Sequence, residues 1–144
     1  MANAVFNSFK LGLLQGSFNL AASPTVYFVL VGSGYTADID SHLYRSSVTD
    51  EIAGSNYNQG GYALSGPTLR QDDTNNQGIL DGTDILLANI TFDTSPRACV
   101  LYGSSGLGVD SDPLIAYIDF GSDQAVTAGT FQITWAAGGI IALT

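Results

Sequence analysis

The 144-residue chain holds one cysteine, one histidine and only four basic residues, Lys10, Arg45, Arg70 and Arg97. A single cysteine excludes an intrachain disulfide. Cys99 lies in the apolar run Ala98-Cys99-Val100-Leu101 and reads as a small core residue. Against the four scattered cations stand 13 acidic residues, for a net charge of −9. No basic stripe exists to displace counterions from a phosphate backbone, so nucleic-acid binding is disfavoured. Long hydrophobic runs are missing too. The longest, over 26–31, falls far short of the ~20 residues that a bilayer-spanning helix needs. The start lacks a basic region followed by an apolar run, so no signal peptide is expected and folding in a cytosol is. Charged residues are scarce, at 12%, while mean hydropathy is +0.20. That balance points to surface covered by partners, because a small domain standing alone carries more charge, with an apolar monomeric β-domain as the alternative.

What is present suits a β-fold. Thr, Ser, Asn, Tyr, Phe and Gly are frequent, and 144 residues fit one domain, 1–144, with a real core. The 114–143 stretch organises the reading. Leu114, Ala116, Ile118 and Phe120 alternate with Ile115, Tyr117 and Asp119. Phe131, Ile133 and Trp135 alternate with Thr130, Gln132 and Thr134. A two-residue period marks half-buried strands, since successive side chains point to opposite faces. The strands should bury the only Trp, and Tyr117, Asp119, Gln132 and Thr134 should point outward as candidates for subunit or lattice contacts.

Upstream, Val5, Phe9 and Leu13 predict an amphipathic helix over 3–16, capped by Asn3 and ended by Gly16. It would cover one end of the core or dock on a neighbouring subunit. The first arrangement is the commoner. A short extended piece over 18–22 is broken by Ser23-Pro24. Thr25–Val31 is a strand apolar on both faces, expected to be central or covered by the helix. Ser47-Val48-Thr49-Asp50 has capping-box spacing, and Tyr44, Val48 and Ile52 share a helical face, so a short helical turn is expected near 47–53. Strands are also expected over 62–69, with a bend at Gly66-Pro67, over 84–92 and over 97–102. In the second of these, Ile85, Leu87, Asn89 and Thr91 should share one face. Six to eight strands after one helix predict a mainly β fold, an antiparallel, jelly-roll-like β-sandwich.

Few residues group as chemistry requires. Asp38-x-Asp40-x-His42 has metal-ligand residue types, but His42 is the only imidazole and such a loop is usually solvated or capping. Asp73, Asn75, Gln77, Gly78 and Asp84 approach EF-hand spacing. Gln77 departs from the pattern, and a polar hairpin turn with Asp81-Gly82 at its tip explains the segment better. Ser104-Ser105-Gly106 lacks a nucleophile elbow. The Gly-rich 103–108 stretch has no phosphate-binding Lys, and the sequon Asn89-Ile90-Thr91 lies within a strand. Tyr35, Tyr44, Tyr57 and Tyr62 gather around the least regular segment, where exposed tyrosines would mark an interface and buried ones an end of the sandwich. No catalytic, cofactor-binding or metal-binding residue is assigned, no cofactor is expected, and the protein reads as a non-enzyme.

The order of several pieces gives the chain a likeness. It opens with Asn3-Ala4-Val5-Phe6-Asn7-Ser8-Phe9-Lys10 and Leu13-Leu14-x-Gly16. Val26-Tyr27-Phe28-Val29-Leu30-Val31 comes next, then the stretch from Ser41-His42-Leu43-Tyr44 through Val48-Thr49-Asp50-Glu51-Ile52 to Tyr57-Asn58-Gln59-Gly60-Gly61-Tyr62. It closes with Leu114-Ile115-Ala116-Tyr117-Ile118-Asp119-Phe120 and Phe131-x-Ile133-x-Trp135. In this order the chain resembles small tailed-bacteriophage head decoration, or cement, proteins over nearly its whole length. The 71–78 tract and the 103–112 loop depart from the pattern. The resemblance implies a β-rich structural virion subunit on the capsid exterior, made in the bacterial host cytoplasm. It also implies the major capsid protein as partner, self-association as a homotrimer, and no contact with nucleic acid or membrane. A head-fibre, tail or collar subunit, and a module binding host surfaces or glycans, are the alternatives.

Overall fold

A computed structural model of the chain describes residues 2–21 and 25–144. Among them the elements are, in order, β1 (Ala4–Val5), α1 (Asn7–Gln15), β2 (Thr25–Val31), a 3₁₀ turn (Arg45–Ser47), β3 (Gly54–Ser55), β4 (Tyr62–Ala63), β5 (Thr68–Asp72), β6 (Gln77–Asp81), β7 (Ile85–Phe92), β8 (Ala98–Ser104), β9 (Leu114–Asp119), β10 (Gly129–Ile133) and β11 (Ile141–Leu143). The fold is mainly β and sandwich-like. All strand pairings are antiparallel, in three sheets ordered β1-β9-β8-β2-β4, β10-β7-β3 and β11-β6-β5. The expected break at Ser23-Pro24, and the end of the extended piece before it, lie outside the described residues.

The five-stranded sheet buries both faces. Phe28 and Leu30 of β2, Cys99 and Leu101 of β8, and Ile115 and Ala116 of β9 face the larger core. That core is closed by Phe9 of α1, Leu80, Ile85, Ile90, Phe131 and Ile141. Val29, Val31, Val100, Leu114 and Tyr117 face a second core roofed by Tyr35, Ala37 and Val48. This explains why β2 is apolar throughout. Its second face is covered by the irregular 35–48 segment, not by the helix. Each fully buried aliphatic side chain here contributes about 1.5–3 kcal/mol by leaving water.

The helix is shorter than its sequence pattern. Asn3 does not cap it. Its side-chain oxygen accepts the Asp119 N–H at 2.8 Å, and Ala4 and Val5 pair with Tyr117 and Ala116 as an edge strand. Phe6 occupies the N-cap position with extended backbone and no side-chain cap. Gly16 ends the helix at φ +69°, as glycine at such a position should. Phe9 meets Phe18 edge-on at 4.8 Å, while Leu14 is 88% exposed.

Two β-bulges reset the alternation. In β7, Phe131 pairs with Leu87 but Gly129 pairs with Ile90, so β7 carries one extra residue. Asn89 takes φ +54° there. Ile85 and Leu87 therefore turn inward before the bulge, and Ile90 and Phe92 after it, whereas Asn89 is exposed. In β9, Leu101 pairs with Ala116 and Tyr102 with Leu114, leaving Ile115 extra. Tyr117 consequently shares the second core with Leu114 and is only 3% exposed. The expectation that it points outward is corrected. A bulge adds one unpaired residue and flips the facing of every residue after it, which a two-residue period does not reveal.

The helical turn expected near 47–53 sits earlier, at Arg45–Ser47, and Val48 is already extended. No capping box forms. Asp50 takes φ +55°, and its carboxylate accepts the Gly34 N–H at 2.8 Å. The 62–69 run divides at Gly66-Pro67 into β4 and β5, which belong to different sheets. The β5–β6 hairpin turns at 73–76, not at Asp81-Gly82. Trp135 lies beyond β10, half-buried, with its indole N–H donating to the Thr83 carbonyl at 3.0 Å.

Candidate interaction surfaces

The polar clusters singled out by sequence are turn-forming groups. The Asp38 carboxylate accepts the backbone N–H of Asp40 and Ser41 and the Ser41 hydroxyl at 2.6 Å. These bonds, led by the Ser41 hydroxyl, hold its pKa below the ordinary carboxylate value. Asp40 accepts from the Asn7 side chain at 2.6 Å. His42 stacks on Tyr35, and its Nδ1 lies 3.0 Å from the Tyr35 hydroxyl. Asp72, rather than Asp73, organises the second acidic loop. It accepts the Thr74 and Asn75 N–H groups and the Asn75 side chain, and the Asn75 contact lowers its pKa. Asp84 instead accepts the Trp135 N–H at 2.9 Å. Among the described residues no three His, Cys, Asp or Glu side chains converge as a metal ion requires.

Ser105 does meet an acid. Its N–H and hydroxyl both donate to the buried Asp112 carboxylate, at 2.6 and 2.8 Å. His42 is engaged with Tyr35, and the pair works as a loop anchor. Of the clustered tyrosines, only Tyr44 is exposed. Tyr35 and Tyr57 are buried and Tyr62 is half-buried. Burial pushes the Tyr35 phenol up to about 12 and raises that of Tyr57 as well. Asp119 pairs with Arg97 at 2.7 Å, which depresses its pKa. Gln132 and Thr134 are exposed, as their alternation indicated.

A polar clasp missed by the sequence reading ties the 45–61 segment to β2. Buried Arg45 pairs with Glu51. The other Glu51 oxygen accepts the Tyr57 hydroxyl at 3.1 Å and the Gly60 N–H at 2.8 Å. Tyr57 in turn accepts the Leu30 N–H at 3.0 Å. The Arg45 guanidinium lies over the Tyr102 ring, 5.8 Å from its centroid. Arg45, Tyr57 and Gly60 are thus all held by one carboxylate, and Tyr57 carries the link on to β2.

Two apolar surfaces gather several of the exposed apolar residues described. The first is a platform. Arg45 N–H donates to the Asp112 carbonyl at 2.7 Å and Ser46 N–H to that of Val109 at 3.0 Å. Leu114 N–H donates to the Leu43 carbonyl at 3.0 Å. These bonds hold the 43–46 and 107–114 segments side by side and present Leu43, Tyr44, Leu107 and Val109 to solvent. Leu107 is 82% exposed. The second is a groove of about 430 Å³ between α1 and the outer sheet. Phe9, Leu13, Phe18 and Leu20 form one wall, and Leu69, Leu80, Ile141 and Leu143 the other. Gly78 pairs with Leu143 and with Gln71, and no atom lies within 4 Å of where its Cβ would stand. That missing side chain helps leave the space. Among the described residues no helix is long and apolar enough to cross a membrane.

In comparisons with known proteins, no family model matches the chain, and neither a curated protein nor a solved structure does.

Proposed function

We propose that the chain is a structural subunit of a bacteriophage particle that coats the outer face of the capsid lattice and stabilises it. The observation that carries this reading is the platform of Leu43, Tyr44, Leu107 and Val109, apolar side chains held outward by a hydrogen-bonded loop pair. Exposed apolar side chains on adjoining, hydrogen-bonded segments suit a contact site. The order of the sequence pieces, which resembles that of decoration proteins, supports the major capsid protein as the partner. Low charge fits the same role, because burying a surface rich in ions would cost desolvation.

In this reading the protein carries out no reaction. It adheres, and repetition over many lattice points turns weak single contacts into firm attachment by avidity. It is made in the bacterial cytoplasm and resides on the virion exterior.

The test compares particles with and without the protein. Particles lacking it should release DNA at a lower temperature, and Leu107→Asp combined with Val109→Asp should abolish binding to bare shells while leaving the fold intact by circular dichroism. Equal particle stability with and without the protein sinks the bracing role. Copy number separates a shell protein, present in hundreds, from a tail or collar subunit, present in about a dozen or fewer, since closed symmetric rings hold few copies.

A further inference from the structure

We propose that β5 is the pairing edge of a symmetric contact between two copies of this chain. β5 closes the β11-β6-β5 sheet on one side, and four of its five residues are exposed. Its outer N–H and C=O groups form a ready template for another strand. A second copy of β5 is the occupant that its charges fit. Arg70 and Asp72 are two residues apart and so share a face. In an antiparallel pair centred on Gln71, each Arg70 stands opposite the other copy's Asp72, giving two cross-strand ion pairs.

The two preceding registers are worse. Centring on Arg70 sets two guanidinium groups against each other, which is destabilising. Centring on Leu69 brings Pro67 opposite Gln71, and proline has no N–H to give to a ladder. Arg70 is also available. Among the described residues Arg45 and Arg97 form close ion pairs within the chain, whereas Arg70 donates to the Ala137 carbonyl at 3.4 Å and feels Asp72 of its own strand only as a nearby charge. Asp72 keeps its three turn-capping bonds, two on Oδ1 and one on Oδ2, and Oδ2 still has room for one more donor.

A short ladder alone falls well below the ~800 Å² per partner of a stable interface. The pairing is therefore weak, and it shows as a concentration-dependent equilibrium. Pairing across a two-fold axis joins the two outer sheets into one of six strands with both grooves on the same face. Leu69, now half-exposed at the rim, moves into the interior of that sheet. The contact is isologous, so it generates even-numbered assemblies, whereas a three-fold ring needs a heterologous contact. The inference does not rest on the capsid reading, because pairing would be seen in solution with no shell present.

Sedimentation velocity of the full chain over a concentration series tests it. A monomer–dimer equilibrium weakened by salt is expected. Arg70→Glu should raise the dissociation constant about tenfold, as two attractive pairs become repulsive. Gln71→Pro, which blocks the edge, should leave a monomer. Hydrogen exchange on the unaltered chain gives a second readout that needs no variant: the Gln71 amide should slow as concentration rises. A chain that stays monomeric with unchanged exchange overturns the proposal, and so does an assembly that both folded variants leave intact. Loss of shell binding with pairing retained would remove the capsid reading alone.

Discussion

The five-stranded sheet and the outer β11-β6-β5 sheet differ in residues and in use: β2 and β8 are almost wholly apolar, whereas β5 reads Thr-Leu-Arg-Gln-Asp. In the first, β8 runs from Ala98 to Gly103 with every residue buried, and both faces meet a core. In the second, β5 is almost wholly exposed and one face borders an open groove. The difference teaches where adhesion can reside. A sheet covered on both faces has committed its side chains and most of its backbone groups. A sheet covered on one face keeps both an edge and apolar surface for others. Glycine makes the contrast sharpest. Gly61 abuts β2 at φ +81°, where a Cβ would lie 1.9 Å from the Phe28 carbonyl oxygen. Gly78 in β6 has open space where its Cβ would be.

The largest break should come from Glu51→Ala beside the large sheet. It would leave buried Arg45 without its counter-charge and strand the Tyr57 hydroxyl and Gly60 N–H. A loss of about 3–5 kcal/mol in urea denaturation is expected. Gly61→Ala should cost about 3 kcal/mol or more, since both the backbone angle and the Phe28 carbonyl oppose it. Next comes pH. Burial holds Tyr35 and Tyr102 at about 12 when folded, against ~10 in the unfolded chain. The unfolded state loses those protons first. Their stabilisation is therefore full below about pH 10 and drains as pH rises through 12. On the acid side Asp38, Asp72 and Asp119 are lowered, by the Ser41, Asn75 and Arg97 contacts respectively. Their contribution is present above about pH 4 and fades below it. Thermal melts across pH should show both shoulders. The smallest effect is a gain: Gly78→Ala should stabilise by about 0.4–1 kcal/mol by restricting the unfolded chain. A loss there instead would mean the two sheets tolerate side chains alike, and the comparison would fail.

Much of the fold was legible in sequence. The apolar β2 and β8, the Phe131/Ile133 alternation, the buried Cys99 and the glycine stop of α1 all come from local pattern. Faces were misread wherever one extra residue intervened, at Asn89 and Ile115. That error placed Tyr117 outside when it is buried. The clasp of Arg45, Glu51 and Tyr57 was invisible because its members meet only after the loop closes on β2. The groove was invisible for a related reason: it depends on Gly78 facing Leu143, 65 positions later, across a strand pair that no local period encodes.

Cys99 has one more consequence. It lies fully buried in the five-stranded sheet, and burial pushes its thiol up to about 12. Only a thiolate reached by reagent reacts. Chemical labelling of this single sulfur therefore acts as a clock for opening of the innermost sheet. Because the chain has no second thiol to confuse the signal, the labelling rate reads that opening alone.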